Sequence, residues 1–446
     1  TFLSTSGGTQ YRSEIVAGKV EWEEQTLSRT NWVGNVQVAT LYIVRRYYWE
    51  ATTAVQIPLS NGQGTADTAG LAIFNPNPRR SAANKIAFVS GTKKITDADN
   101  LLAQFKTGDT IVVSGSANNN GTFTIATGNV AAEIVTTQAL TEEAAGPGTT
   151  VTIVGPKTNY VQMAAADVAT VVDAPIRLEL TNANGAAVTF EDIHIGTSRI
   201  NSIANMVFAL EGEDGAQGSG ADSITDTVLG TCSGGYYTEL VWTGTTEKEI
   251  WTHTLSAAML AASRGAHWLA IARFKDDAIT AATKLRLNVK LSTTTIYEGP
   301  LVTCKADTYM QALGIIQLPP YLERITAPIA LTLALNAINA SGGTVNLDYI
   351  QLMPVDSYRH LSQVGYAIPN GDSIYIDELY EKSGIVRGIS GAATEYNVWV
   401  KRGVPLKVQN NTLQRIYFAF DEAGEIWNIN TKLTVKCYYR PRRLTL

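Results

Sequence analysis

The chain has 446 residues, 45% of them apolar and 17% charged, so it can bury more than one core and is not disordered by composition. Its 35 Lys and Arg against 40 Asp and Glu give a formal charge of -5 with no basic block, which argues against a nucleic-acid partner. The mostly apolar stretch at residues 329–337 is far short of the roughly 20 residues of a membrane span. The opening TFLSTSGGTQ also lacks the charged start and apolar stretch of a signal peptide.

In chain order, the first clear element is Thr40-Leu41-Tyr42-Ile43-Val44, a β-branched and aromatic run that Arg45-Arg46-Tyr47-Tyr48-Trp49 continues. Extended, it sets Gln37, Ala39, Leu41, Ile43 and Arg45 on one face. A polar, Pro-punctuated link, Asn75 to Arg80, follows. Beyond it come a strand over Ile86 to Val89 and an expected short helix over Asp97 to Phe105, with Thr96 as its N-cap. Strands at Asp109 to Val113 and Gly121 to Ile125 flank Ser114-Gly115-Ser116-Ala117-Asn118-Asn119-Asn120, which is rich in residues that tolerate positive φ, as a hairpin turn requires. Ile176 to Leu180, Leu285 to Leu291 and Leu433 to Tyr439 alternate apolar with polar, the pattern of strands with one wet face. Gly212 to Gly220 reads as a flexible linker, and Leu255 to Ser263 as two helical turns. Short strands separated by turns predict an all-β protein built of β-sandwich or jelly-roll domains.

The punctuation divides the chain. Residues 1–83 and 157–212 form a split N-terminal sandwich, interrupted by a small β-module at 84–156; an insertion of that kind into a surface loop costs little closure entropy. Residues 221–356 form a jelly roll that ends in the alternating Val345 to Leu352, and residues 357–446 form a strand-rich C-terminal piece that either folds alone or pairs back with the first sandwich.

Three resemblances attach to particular residues. Phe105-Lys106-Thr107-Gly108-Asp109-Thr110-Ile111-Val112-Val113-Ser114-Gly115, then Asn120-Gly121-Thr122-Phe123-Thr124-Ile125 and a closing Leu140-Thr141-Glu142-Glu143, resemble a small β-module that recurs in tailed-phage and prophage structural proteins. The stretch from Leu347 to Arg443 is more loosely similar to prophage tail-region proteins. The opening Cys232-Ser233-Gly234-Gly235-Tyr236-Tyr237 and the late Leu347-Asp348-Tyr349-Ile350-Gln351-Leu352 resemble the ends of carbohydrate-binding jelly rolls. The phage resemblance implies a virion structural protein, of the tail or its tip, located in the virion and partnered by copies of itself and by other virion proteins. The alternatives are a carbohydrate-binding or adhesive module that takes a host-surface glycan, and a capsid-decoration protein.

Chemical sites are sparse. Cys232, Cys304 and Cys437 are scattered, and His194, His253, His267 and His360 form no HxH or HExxH pattern, so neither a disulfide framework nor a metal or other cofactor is expected. The acidic Glu211, Glu213, Asp214, Asp222 and Asp226 only partly match a calcium loop and read as a solvated linker. Carboxylates beside Trp22 (Glu21, Glu23, Glu24) and Trp251 (Glu247, Glu249) fit an exposed strand face better than a hydrolase pair, and no GxSxG, phosphate loop or GxGxxG after a strand occurs. No catalytic residue and no enzymatic activity is therefore expected. The binding candidates are Tyr236, Tyr237 and Trp242 as a sugar platform, and Arg440, Arg442 and Arg443 as a grip on a neighbouring subunit.

Overall fold

The computed structural model describes all residues except 1, 30–31, 61–68, 75–78, 82–84, 147–149, 156–158, 200–207, 230–231, 256–266, 276–278, 280–281, 305–308, 319–330, 364–366, 380–384, 390–394, 397–398, 410–411, 423–431 and 445–446. Among these the chain is all-β, with antiparallel strands, two single 3₁₀ turns and no α-helix.

The first sandwich draws on distant parts of the sequence. One sheet runs Tyr160–Met163, Gln414–Glu422, Val188–Arg199, Ser357–Gln363, Trp399–Gly403. The facing sheet centres on Ala174–Asn182, between Ser373–Asp377 and Lys432–Tyr439, with Val55–Ile57 beyond the latter. Alternation explains the arrangement: Ile176, Leu178 and Leu180 point inward from one sheet and meet Phe190, Ile193 and Ile195 of the other. The C-terminal strands thus pair back and supply a large part of this core, for example Val435, Cys437 and Tyr439.

Strands between Arg79–Ser81 and Val151–Val154 form a seven-stranded antiparallel sheet around their own core of Phe88, Phe105, Ile111 and Ile153. The helix expected over Asp97 to Phe105 is absent. Lys94–Asp97 is a strand, and the buried Asp97 carboxylate then accepts the N–H groups of Asp99 at 3.0 Å and Leu101 at 3.1 Å. Those bonds fold the chain into a turn with Asn100 at φ 60°, the local alternative that Asp offers to a helix.

A second sandwich packs the sheet Ser223–Val228, Tyr236–Thr243, Gly342–Pro354, His267–Phe274, Met310–Gln317 against the sheet Ala216–Gln217, Lys248–Thr254, Leu331–Ile338, Lys284–Leu291, Thr294–Tyr297. The supposed linker at Gly212 to Gly220 belongs to it. Phe208–Glu211 pairs with Gly342–Pro354, and Gln217 pairs with Trp251. Its glycines are there for close approach: a Cβ at Gly215 would overlap the Trp251 indole, and one at Gly218 the Glu249 backbone. Of the second expected helix, Leu255 is buried and residues 256–263 lie outside the described residues. The outer faces of the two sandwiches meet through Tyr160, Tyr417 and Ala419 on one side and Leu269, Ile271, Tyr349 and Met353 on the other.

Two small sheets complete the molecule. Phe2–Ser6, Thr9–Ser13, Trp49–Ala51 and Arg442–Arg443 make one. Ile15–Arg29 and Trp32–Arg45 make the other, a long two-stranded ribbon that pairs with no further strand among those described. The strand run expected to continue through Trp49 ends at Arg45, and the chain turns before resuming at Trp49–Ala51.

Candidate functional site

The ribbon and its foot are the most distinctive surface feature. A strand of 14 residues reaches roughly 48 Å at ~3.4 Å per residue. Near the foot its side chains are apolar and bare: Leu41 is 58% exposed and Val44 57%, with Ile15, Val16, Val20 and Tyr42 also exposed. The cross-strand register sets Val20 opposite Leu41 and Gly18 opposite Ile43, so one face is apolar; Lys19 and Glu21 pair on the other. An isolated hairpin is marginally stable in water, so a long one with apolar flanks calls for cover from elsewhere.

The foot is held firmly. Ser13 Oγ lies 3.2 Å from the Arg46 carbonyl and 3.1 Å from that of Tyr48. Arg46 pairs with Glu14 at 3.2 Å and donates to Tyr48 Oη at 2.6 Å, while the Arg45 guanidinium stacks over Trp49 at 4.9 Å. Beneath them sits Glu50, nearly buried, which accepts from three arginines: Arg12 at 3.0 Å, Arg442 at 2.9 Å, and Arg440 at 3.5 Å. Arg442 also donates to the Asp173 carbonyl at 2.9 Å and lies 4.2 Å over the Tyr48 ring. A charge so thoroughly paired fixes the direction in which the ribbon leaves the body.

Two of the three terminal arginines expected to grip a neighbour are taken up by this foot. Arg442 is buried and Arg440 half-buried, both bound to Glu50, and only Arg443 is exposed, with its guanidinium 5.1 Å over Tyr11. The proposed sugar platform is not assembled either. Trp242 is 1% exposed in the core of the second sandwich, and Tyr236, 8% exposed, donates its hydroxyl to Asp99 of the inserted module at 2.9 Å. Only Tyr237 is partly open, beneath the Lys275 ammonium at 5.3 Å. Strand alternation puts residues 236 and 242 on the core face and 237 on the other, a parity that three aromatic letters do not reveal.

Among the carboxylates, Glu249 pairs with Lys290 at 2.6 Å and Glu247 accepts from Asn336 at 2.9 Å, while the side chains of Glu23 and Glu24 lie outside the described residues. Glu211 is buried and accepts from Ser233 Oγ at 2.9 Å, so it is not a solvated linker acid. Among the described residues, no group of three His, Cys, Asp or Glu is arranged to hold a metal ion. All three cysteines are buried, and burial pushes their thiols up, that of Cys304 to about 12.

A buried network missed in the sequence lies within the second sandwich, on the sheet that holds His267–Phe274 and Gly342–Pro354. Arg273 pairs with Asp348, which also accepts the Ser233 N–H at 2.9 Å. Burial raises the Asp348 carboxyl to about 6 although Arg273 pulls it down. The alternating pattern of the Gly342–Pro354 strand contains the acid, and the irregularity in register between Arg273 and Phe274 is what brings it under the guanidinium.

No family model matches the chain, and no curated protein matches its sequence. Among solved structures, one titled "Structure of infectious bursal disease virus Gt strain" aligns over 88% of this chain and 83% of that chain, at 8% identity and a TM-score of 0.18. So loose a superposition supports neither a shared fold nor a shared function.

Proposed function

We propose that the chain is a structural, self-assembling virion protein, of the tail region, that works through subunit interfaces and not through catalysis. The ribbon carries this reading: an all-β subunit projects a long arm with bare apolar residues from a rigid foot, as a part made to be covered by a neighbour is built. The likeness of residues 105–143 to the module of tailed-phage structural proteins supports the virion and tail assignment. Its partners are copies of itself and other virion proteins.

The test is the native mass of the full chain by light scattering, with negative-stain imaging of the same sample. Rings, tubes or particles of fixed symmetry are expected, because repeated subunits close by symmetry. A strictly monomeric 48.0 kDa chain at high concentration overturns the proposal.

A further inference from the structure

We infer that His194 and His360, with Asp192 and Tyr358, form a proton-operated clasp beside the joint of the two sandwiches, which closes on one proton and opens on a second.

Scattered in the sequence, the two histidines are brought together by antiparallel pairing. Strands Val188–Arg199 and Ser357–Gln363 set His194 opposite His360, and the rings stack with centroids 4.3 Å apart and planes 12° from parallel. A bulge decides which face they occupy. Phe190 and Ile193 both point into the first core, which strict alternation forbids, because the register with Gln414–Glu422 shifts between Phe190 and Asp192. Asp192 and His194 are thereby turned to the outer face, and both are buried there. His194 Nδ1 lies 2.9 Å from Tyr358 Oη, and His360 Nε2 lies 2.5 Å from Asp192 Oδ1.

Charge balance gives the pair its two states. Asp192 supplies one counter-charge, so a single proton on the pair makes a charge-assisted bond. A second proton sets two cations 4.3 Å apart at a site largely closed to water, where their repulsion is weakly screened. Histidine is the side chain that gains such a proton between pH 5 and 8. Around the pair, Ala419 stands opposite His194 in register, Asp421 and Ser362 opposite Asp192, and Arg402 opposite His360, while Glu191 is exposed. The chain leaving the second sandwich approaches the neighbouring Gly196 with the uncharged Met353 and Val355.

The clasp acts on the joint because of where it sits. Tyr358 and Val355 pack against the apolar layer that joins the sandwiches, and Ser357–Gln363 follows directly on Gly342–Pro354, the middle strand of its sheet in the second sandwich. Repulsion between the rings therefore pushes apart a strand pair at the place where the chain crosses from one sandwich to the other.

Hydrogen exchange of the full chain, read by mass spectrometry and corrected for the intrinsic pH dependence of exchange, tests the clasp. Below about pH 6.5, protection of residues 188–199 and 355–363 should fall roughly tenfold per pH unit, the slope for one extra proton bound on opening. Lys284–Leu291 and Leu331–Ile338, in the far sheet of the second sandwich, should keep theirs. His194→Phe, which keeps a stacked ring, and His360→Gln, which keeps a partner for Asp192, should each abolish the slope. The inference falls if the wild type shows no slope, if protection is lost uniformly across both sandwiches, or if either variant retains the slope. The wild-type comparison between the two sets of strands decides by itself should a variant fail to fold.

Discussion

The Glu143 carboxylate accepts from Ser116 Oγ at 2.6 Å, from the N–H groups of Ala117 at 3.0 Å and Asn118 at 3.1 Å, and from the Asn119 amide at 3.0 Å. Burial pulls its carboxyl up, but these hydrogen bonds outweigh burial and hold it below the usual glutamate range. A lowered folded-state pKa means stability that is present above the unfolded value and lost as pH falls through the folded one. Glu143→Ala should cost about 2 kcal/mol at neutral pH, and the difference from wild type should shrink in acid, as urea titrations at several pH values would show. Asp348 has the opposite sign. Its carboxyl is raised to about 6, so its contribution is complete below the unfolded value and lost as pH rises through 6. Arg273→Met strands that buried carboxylate and should cost about 3–5 kcal/mol at pH 7.5, with a smaller deficit at pH 5, where Asp348 enters the fold protonated.

At the scale of the element, strands were the most legible feature. Leu433 to Tyr439 was read from alternation, and its residues alternate half-buried and buried as that reading requires. The phage-like motif is legible too, and its letters turn out to be turn chemistry: Gly108 sits at φ 88°, Asp109 accepts the Lys106 N–H at 2.8 Å, and Glu143 closes the Ser114 to Asn120 loop. What failed was reading glycine as flexibility. Gly212 to Gly220 looks like a linker by composition, yet Trp251 lies against Gly215 and donates its indole N–H to the Gly212 carbonyl at 2.9 Å. A glycine demanded by a neighbour 36 residues away leaves no local signal. Gly215→Ala should therefore cost about 1–3 kcal/mol in chemical denaturation, far more than a substitution in a free linker, because the indole must move. The ribbon was half legible for a similar reason: alternation marks Leu41 and Ile43 as facing one way, but nothing in the sequence says that their two strands pair with no further strand among those described.

Across the whole molecule, the first sandwich is completed by strands from both ends of the chain, so its core closes only after residues 433–439 are present. The second sandwich is a continuous insertion into that chain order, and the two are joined by the buried layer of Tyr160, Leu269, Ile271, Met310, Tyr349, Met353, Tyr417 and Ala419. That layer is apolar and aromatic, which makes the two sandwiches one stiff body and not beads on a string. Stiffness matters for the assembly proposed above, since surfaces on one subunit meet those of the next only if they keep a fixed relation. Ile271 is fully buried at the centre of the joint, and its side chain belongs to neither sandwich core. Ile271→Ala should cost about 2–4 kcal/mol, and the loss should fall on coupling. In calorimetry the wild-type sandwiches should melt in one transition and those of the variant in two, with the separated bodies forming fewer closed particles under the electron microscope. A single shifted transition with normal particles would mean that the joint merely adds stability and does not set the geometry of the subunit.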